Sequence, residues 1–458
     1  MFRKIILHNF KSFADIELDL EDNGRRPLNI AMVYGENGAG KTNLIDSVRF
    51  LKDSTGTLAE PENPENLLED MEALTDKNYE PEDAKNMMNA LRTIISLTQK
   101  SQANAKNDIQ SLAQDAICIE SEGGMRTKYI FDAKGAKTEY SMDFDEDGRL
   151  VREQLRSIID SRAGCYYCIT SDGGSIQSKI SESFITDGKF RNEIRDLLKR
   201  YWGKHSMMAI MFQQYAVKNA IFMKDSVSAG FVRIRDFIDS ITVGYPATMP
   251  LLYGHYDMTE GLIRQSDIGS LDLQEKALDL FFTSLSPDIR KVRYERKEVG
   301  ERIFYSLIFD RMISGKVRSV PYISESSGIK KLVRMMPLLA GSSDGGTVFI
   351  DELDSSIHDK TVKELIERIS PSVNGQLFFT THNTQLLETA DPRTAFIIRI
   401  GQDGFKSISP ISRISRTQKN HNNRIRYLNG SLGGIPYVGY IDMQEISSIM
   451  KSIHPEAK

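Results

Sequence analysis

The segment from Leu28 to Leu51 restricts the fold more than any other part of the chain. An apolar strand pattern, LNIAMVYG, runs straight into Gly35-Glu-Asn-Gly-Ala-Gly-Lys-Thr42, and NLIDSVRFLK follows with helical spacing of Leu44, Ile45, Val48 and Leu51. Strand, glycine loop and helix are the setting in which G-x-x-x-x-G-K-[ST] cradles phosphate. The backbone around Gly35, Asn37, Gly38 and Gly40 is predicted to curl its N–H groups about the β- and γ-phosphates of ATP. Lys41 places a cation on the same oxygens, and the Thr42 hydroxyl is the predicted Mg²⁺ ligand. The helix that opens at Lys41 adds the positive end of its dipole. Such a loop demands an α/β sheet with ligands at the carboxyl ends of its strands.

Partners for that loop lie far along the chain. Thr347-Val-Phe-Ile reads as a short buried strand delivering Asp351 and Glu352 to its end. Asp351 is the predicted second holder of Mg²⁺. Glu352, facing the other way, is the predicted general base for the attacking water. Leu377-Phe-Phe-Thr-Thr381 is another buried strand, and His382 at its end is the candidate γ-phosphate contact. Ser326 and Gly328 precede the helical KKLVRMMPLL, so a serine, a glycine and a helix N-terminus form a further candidate anion site.

The rest of the chain supplies context. With 458 residues, 40% of them hydrophobic, it can bury a large core. A formal charge of -4 gives no global field for nucleic acid, so such binding would need a local patch. Three cysteines and the absence of an apolar leader or a membrane-length apolar run predict a cytoplasmic protein with no membrane contact. Cys165 and Cys168 form a lone C-x-x-C, for which two thiols in a strand, buried or half-buried, are the simpler reading than zinc or redox chemistry. Alternation from Lys4 to Leu20 predicts a hairpin. We expect residues 1–55 to form the N-terminal part of the core, 56–116 a helical insertion, and 117–180 a β-rich lobe. Residues 181–285 should be a second helical segment, 286–440 the C-terminal part of the core, and 441–458 a tail. Arg413, Arg416, Lys419, Arg424 and Arg426 crowd one stretch, either a solvated loop or a contact for DNA or RNA phosphates. The basic run 290–297 alternates like one wet face of a sheet.

The four motifs and their order resemble the ABC-class ATPases of the RecF, SMC and OLD-like branch. ILHNFKSF with DIELDL is similar to that branch's opening strand pair. ESSGIKKL is similar to its signature motif, with Ser326 and Gly328 at the signature serine and second glycine. Residues 354–359 (DSSIHD) resemble its D-loop, and His382 its switch histidine. YLNGSLGGIPY resembles a tail of stand-alone bacterial defence ATPases of the AbiLi/RloA-like and PARIS type. The resemblance implies an α/β fold: a P-loop NTPase core of ABC type, a mixed sheet plus an antiparallel β lobe, with helical insertions. It implies ATP and Mg²⁺ as ligands, and a partner in the chain itself, as an ATP-sandwich dimer or higher homo-oligomer. Gln213 and Gln214 are both available as the Q-loop glutamine, and nothing in the sequence selects one. No D-x-D follows His382, so no nuclease of its own is expected. The expected role is regulation of a separate effector, a nuclease or toxin, in anti-phage defence. A RecF-like repair ATPase that loads on DNA is the alternative.

Overall fold

In the computed structural model, the described residues are 1–22, 24–58, 108–119, 121–159, 162–245, 257–300, 302–414, 422–435 and 439–453. Most of the expected 56–116 insertion therefore lies outside them; its last part is the helix Ile109–Ala116.

The centre is a six-stranded sheet in the order Ile241–Gly244, Thr347–Ile350, Gln376–Thr380, Ile30–Tyr34, Ala395–Ile400, Lys406–Pro410. The first five strands run parallel, and Lys406–Pro410 closes the edge antiparallel. Strands covered on both faces read as continuous apolar runs, and alternate residues here feed two separate cores. Ala31, Val33, Phe349, Phe378 and Phe396 point into one, while Met32, Tyr34, Val348, Ile350, Leu377 and Phe379 point into the other.

The first core is closed by a seven-stranded antiparallel sheet. Its order is Ser175–Ile180, Arg162–Asp172, Leu150–Ile159, Ala136–Phe144, Arg126–Ala133, Phe2–Phe10, Phe13–Asp19. The expected opening hairpin is thus one edge of a larger sheet, with Lys4 opposite Asp19 and Phe10 opposite Phe13. Helix Lys41–Gly56 lies in this core together with helices from 188–239. The second core is covered by helices Ser327–Ser343 and Asp359–Ile369 and by a four-stranded antiparallel lobe. In that lobe Arg302–Ile313 pairs with Glu260–Arg264, Ile289–Val299 and Lys316–Pro321, backed by helix Ile268–Leu285. A largely parallel central sheet flanked by antiparallel lobes is the expected α/β layout of a mixed sheet plus an antiparallel β lobe.

Two local expectations differ. The stretch 181–285 is not only helical: Ile241–Gly244 joins the central sheet beside Thr347–Ile350. Four residues ending in glycine are too short to display a period of two. Within 286–440, residues 289–321 supply three of the four strands of the antiparallel lobe, and the later strands belong to the central sheet. Cys165 is exposed rather than buried or half-buried. A bulge near Tyr166 turns Tyr166 and Tyr167 both into the core and leaves the two cysteines of the C-x-x-C outward, as free thiols. Among the described residues no three His, Cys, Asp or Glu side chains gather as a metal site, and no helix is long and apolar enough to cross a membrane.

One fully buried carboxylate ties the antiparallel sheet to a helix start. Glu153 accepts from the Tyr140 and Tyr167 hydroxyls (both 2.9 Å), Trp202 Nε1 (2.8 Å) and the backbone N–H of Met207 (2.7 Å) and Met208 (3.3 Å). Burial raises its pKa, and these donors oppose the rise. Glu153→Ala would strand several buried donors at once and should lower the unfolding free energy by about 3 kcal/mol or more. Denaturant titration measures it, and a loss under about 1 kcal/mol would contradict the assignment of Glu153 as a hub.

Candidate active site

Three parallel strands, Ile30–Tyr34, Thr347–Ile350 and Gln376–Thr380, end side by side, where open α/β sheets bind ligands. The first ends in the glycine loop, the second in Asp351 and Glu352, the third in Thr381 and His382.

The loop turns through Gly38 and Gly40, both at positive φ (80° and 103°), into helix Lys41–Gly56. At Gly40 the requirement for glycine is twofold: the backbone is left-handed, and a Cβ would sit 2.6 Å from Phe13 Cζ. The hairpin turn therefore presses directly on the phosphate loop. Asn43 Nδ2 donates to Ser12 Oγ at 2.6 Å, and Lys406 Nζ donates to both Ser12 Oγ (2.7 Å) and the Gly38 carbonyl (2.9 Å). Lys41 is buried, and its Nζ donates to the carbonyls of Gly35 (2.8 Å) and Glu36 (3.1 Å). Burial lowers its pKa, against the pull of Asp351, Glu352, Asp354 and Glu36.

Thr42 Oγ1 donates to Asp351 Oδ2 at 2.8 Å, across 309 positions of sequence. The other oxygen of Asp351 accepts from Thr380 Oγ1 at 2.5 Å, and that hydroxyl accepts from the backbone N–H of Glu352 at 2.8 Å. Asp351 is thus buried with both oxygens held. A hydroxyl and a carboxylate at hydrogen-bond distance are hard oxygen donors of the kind Mg²⁺ takes alongside phosphate and water, so these residues fit the expected ion. Glu352 is half-buried with φ 45°, a left-handed conformation uncommon for a non-glycine residue. His382 is exposed, and its backbone N–H donates to Asp354 Oδ2 at 3.0 Å. Asp354 Oδ1 is buried with no hydrogen-bond partner among the described residues.

Ser326 and Gly328 stand elsewhere. Ser326 caps helix Ser327–Ser343, its hydroxyl accepting from Ile329 N–H at 3.3 Å, and it is exposed. Among the described residues no hydrogen bond or ion pair links Ser326 or Gly328 to residues 35–42. A Cβ on Gly328 would lie 2.7 Å from the Ser356 carbonyl, so this helix start packs on the 354–359 turn. Gln214 is buried and Gln213 half-buried in helix Met207–Val217.

Sequence reasoning missed Thr380, Lys331, Lys406 and the close approach of the tail. Lys331 is buried in helix Ser327–Ser343 and donates to the Glu352 carbonyl and to Ser355 Oγ. Burial pushes its pKa down to about 8, opposed by Asp354, Glu352 and Asp351. From the tail, the Tyr427 ring packs 5.7 Å from Tyr34, and its hydroxyl donates to the Gly434 carbonyl at 2.9 Å. A Cβ on Gly434 would lie 3.6 Å from Gly35 Cα, so the tail lies against the entry to the phosphate loop. A threonine before T-H and a second lysine after a signature-like serine were the only available signals.

Thr380→Val removes a buried hydroxyl while keeping its shape. It leaves the Glu352 N–H and one Asp351 oxygen unpaired, and should cost about 1–3 kcal/mol of stability in urea unfolding. A neutral substitution would mean the Thr380 bridge contributes nothing.

A family model described as the RecF/RecN/SMC N terminal domain matches residues 1–407. Similar solved structures include an Smc head bound to the C-winged helix domain of ScpA, with 13% identity and TM-score 0.40 over 90% of this chain and 99% of that one. The SMC head domain from Thermotoga maritima gives 13% identity and TM-score 0.36 over 89% and 98%. An Smc head with an extended coiled coil, bound to the C-terminal domain of ScpA derived from Pyrococcus furiosus, gives 13% and 0.39 over 89% and 95%. A comparison with curated proteins finds no match. With its family match spanning most of the chain, this protein belongs to the RecF/RecN/SMC N-terminal domain family and is an ATP-binding ABC-class ATPase of that branch.

Proposed function

We propose that the chain hydrolyses ATP at a composite site between two copies of itself and uses the cycle to hold or release a separate effector in anti-phage defence. The observation that carries the site is the Thr42–Asp351 hydrogen bond beside the buried Lys41, which gathers the oxygen donors and the phosphate-binding cation at the carboxyl ends of the central strands. Gly35, Asn37, Gly38, Gly40 and Lys41 bind the triphosphate. Thr42 and Asp351 would hold Mg²⁺, which when bound neutralises phosphate charge. Glu352 orients and deprotonates the water, and His382 hydrogen-bonds the γ-phosphate. Ser326, exposed, and Gly328, half-buried, have no hydrogen bond or ion pair to residues 35–42 among the described residues, and serve the nucleotide of a second copy. That division supports a nucleotide-dependent dimer.

The defence role is supported by the motif set and the tail resemblance. For the DNA-loading alternative, two cations of the basic stretch already have acidic partners in the chain: Arg413 pairs with Asp19, and Arg424 with Glu388. A pull-down of Glu352→Gln with the products of flanking genes, with and without ATP, tests the regulatory reading. Nucleotide-dependent capture of a nuclease or toxin is expected. No capture, together with salt-sensitive duplex binding that stimulates hydrolysis, would favour DNA loading.

The site assignment has its own test. Lys41→Ala should abolish ATP binding, whereas Glu352→Gln should bind ATP, persist as a dimer in light scattering and lose turnover by about 100-fold or more. Normal turnover in Glu352→Gln would remove Glu352 as the base.

A further inference from the structure

Helix Ser327–Ser343 does more than present Ser326. One turn in, Lys331 is buried and donates to the Glu352 carbonyl and the Ser355 hydroxyl. The Glu352 backbone is thereby pinned at both ends: its N–H by Thr380 Oγ1, its C=O by Lys331. That pinning matters because Glu352 has φ 45°, a conformation a non-glycine residue keeps only when its surroundings hold it. The direction of the Glu352 side chain follows from it.

The start of the helix is equally fixed. Glu325, immediately before Ser326, is buried and paired with Arg311 at 2.7 Å, and Arg311 also binds Asp288 through its Nε at 2.8 Å. The Ser326 loop is therefore joined to the four-stranded lobe on one side and, through a rigid helical turn, to Glu352 on the other. A second acceptor for Lys331 exists as well. Asp354 Oδ1 is buried with no hydrogen-bond partner among the described residues, and an ammonium with three donors can exchange the Glu352 carbonyl for it.

We propose that Lys331 is a positioning residue that couples what Ser326 touches to the orientation of Glu352 in the same chain. The proposal rests on the composite-site reading above. When a second copy's nucleotide engages Ser326, the helix shift moves Lys331 between the Glu352 carbonyl and Asp354, so each site's base is set by the occupancy of the other. Two states of one buried lysine then bias a two-state dimer.

The test compares Lys331→Met, which keeps length and loses the charge, with Ser355→Ala, which removes one acceptor and leaves the lysine. ATP affinity, turnover at saturating ATP, the Hill coefficient and ATP-dependent dimerisation are measured on the full chain. Lys331→Met should keep ATP affinity within about threefold. Its turnover should fall about 100-fold, as a base displaced by an ångström would give, and its Hill coefficient should drop to one. Ser355→Ala should move in the same direction, by about tenfold. Wild-type turnover and Hill coefficient in both variants would overturn the proposal, as would equal losses of affinity and turnover. If Lys331→Met fails to fold, Ser355→Ala decides alone. A wild-type chain that neither binds nor hydrolyses ATP would instead remove the composite-site reading itself.

Discussion

The hydrogen bond from Thr42 to Asp351 is the point on which this structure turns. It joins residues 309 positions apart, and it forms only because strands Ile30–Tyr34 and Thr347–Ile350 flank Gln376–Thr380 in parallel, in a register that ends all three together. A one-residue slip would send Asp351 to the other face of the sheet. The two cores guard against that slip: alternate residues on each strand are committed to opposite clusters, so changing the register would exchange them all. The phosphate loop, Asp351, Glu352 and His382 lie at the carboxyl ends of strands whose burial was settled by packing.

Around that bond, polar groups are held by other polar groups of the chain. Asp351 is gripped by Thr42 and Thr380, Glu352 by Thr380 and Lys331, and Lys41 by the carbonyls of its own loop. Each pairing offsets the desolvation that would otherwise disfavour a charge there. The left-handed Glu352 is the strained member of the set, and both peptide groups beside it are tied down. Pre-set geometry of this kind leaves little to reorganise when phosphate charge arrives.

Much of this was legible in the chain. The glycine loop, the TVFIDE and LFFTTH strands and the opening hairpin carry their own local signals: glycines at positions of positive φ, apolar runs of strand length, and alternation. What was hidden depended on tertiary structure. Strand Ile241–Gly244 is four residues long and owes its place to its parallel neighbour. Thr380 and Lys331 look like an ordinary strand threonine and a helix-surface lysine until the fold places Asp351 and Glu352 beside them. Lys406 reaches Gly38 across 368 positions, and Tyr427 reaches Tyr34 from the tail; no spacing rule relates such residues. Glu153 alternates correctly for a strand, but its five donors come from two other strands, a tryptophan and a helix start.

The most direct measurement of the central claim is a double-mutant cycle between Thr42→Ala and Asp351→Asn, read as the affinity for ATP with and without Mg²⁺ by calorimetry. If the two side chains share one ion, the first substitution removes most of the Mg²⁺-dependent affinity and the second adds little, giving a coupling energy above about 1 kcal/mol. Effects that simply add, to within about 0.5 kcal/mol, would mean the two residues act separately and would contradict the account.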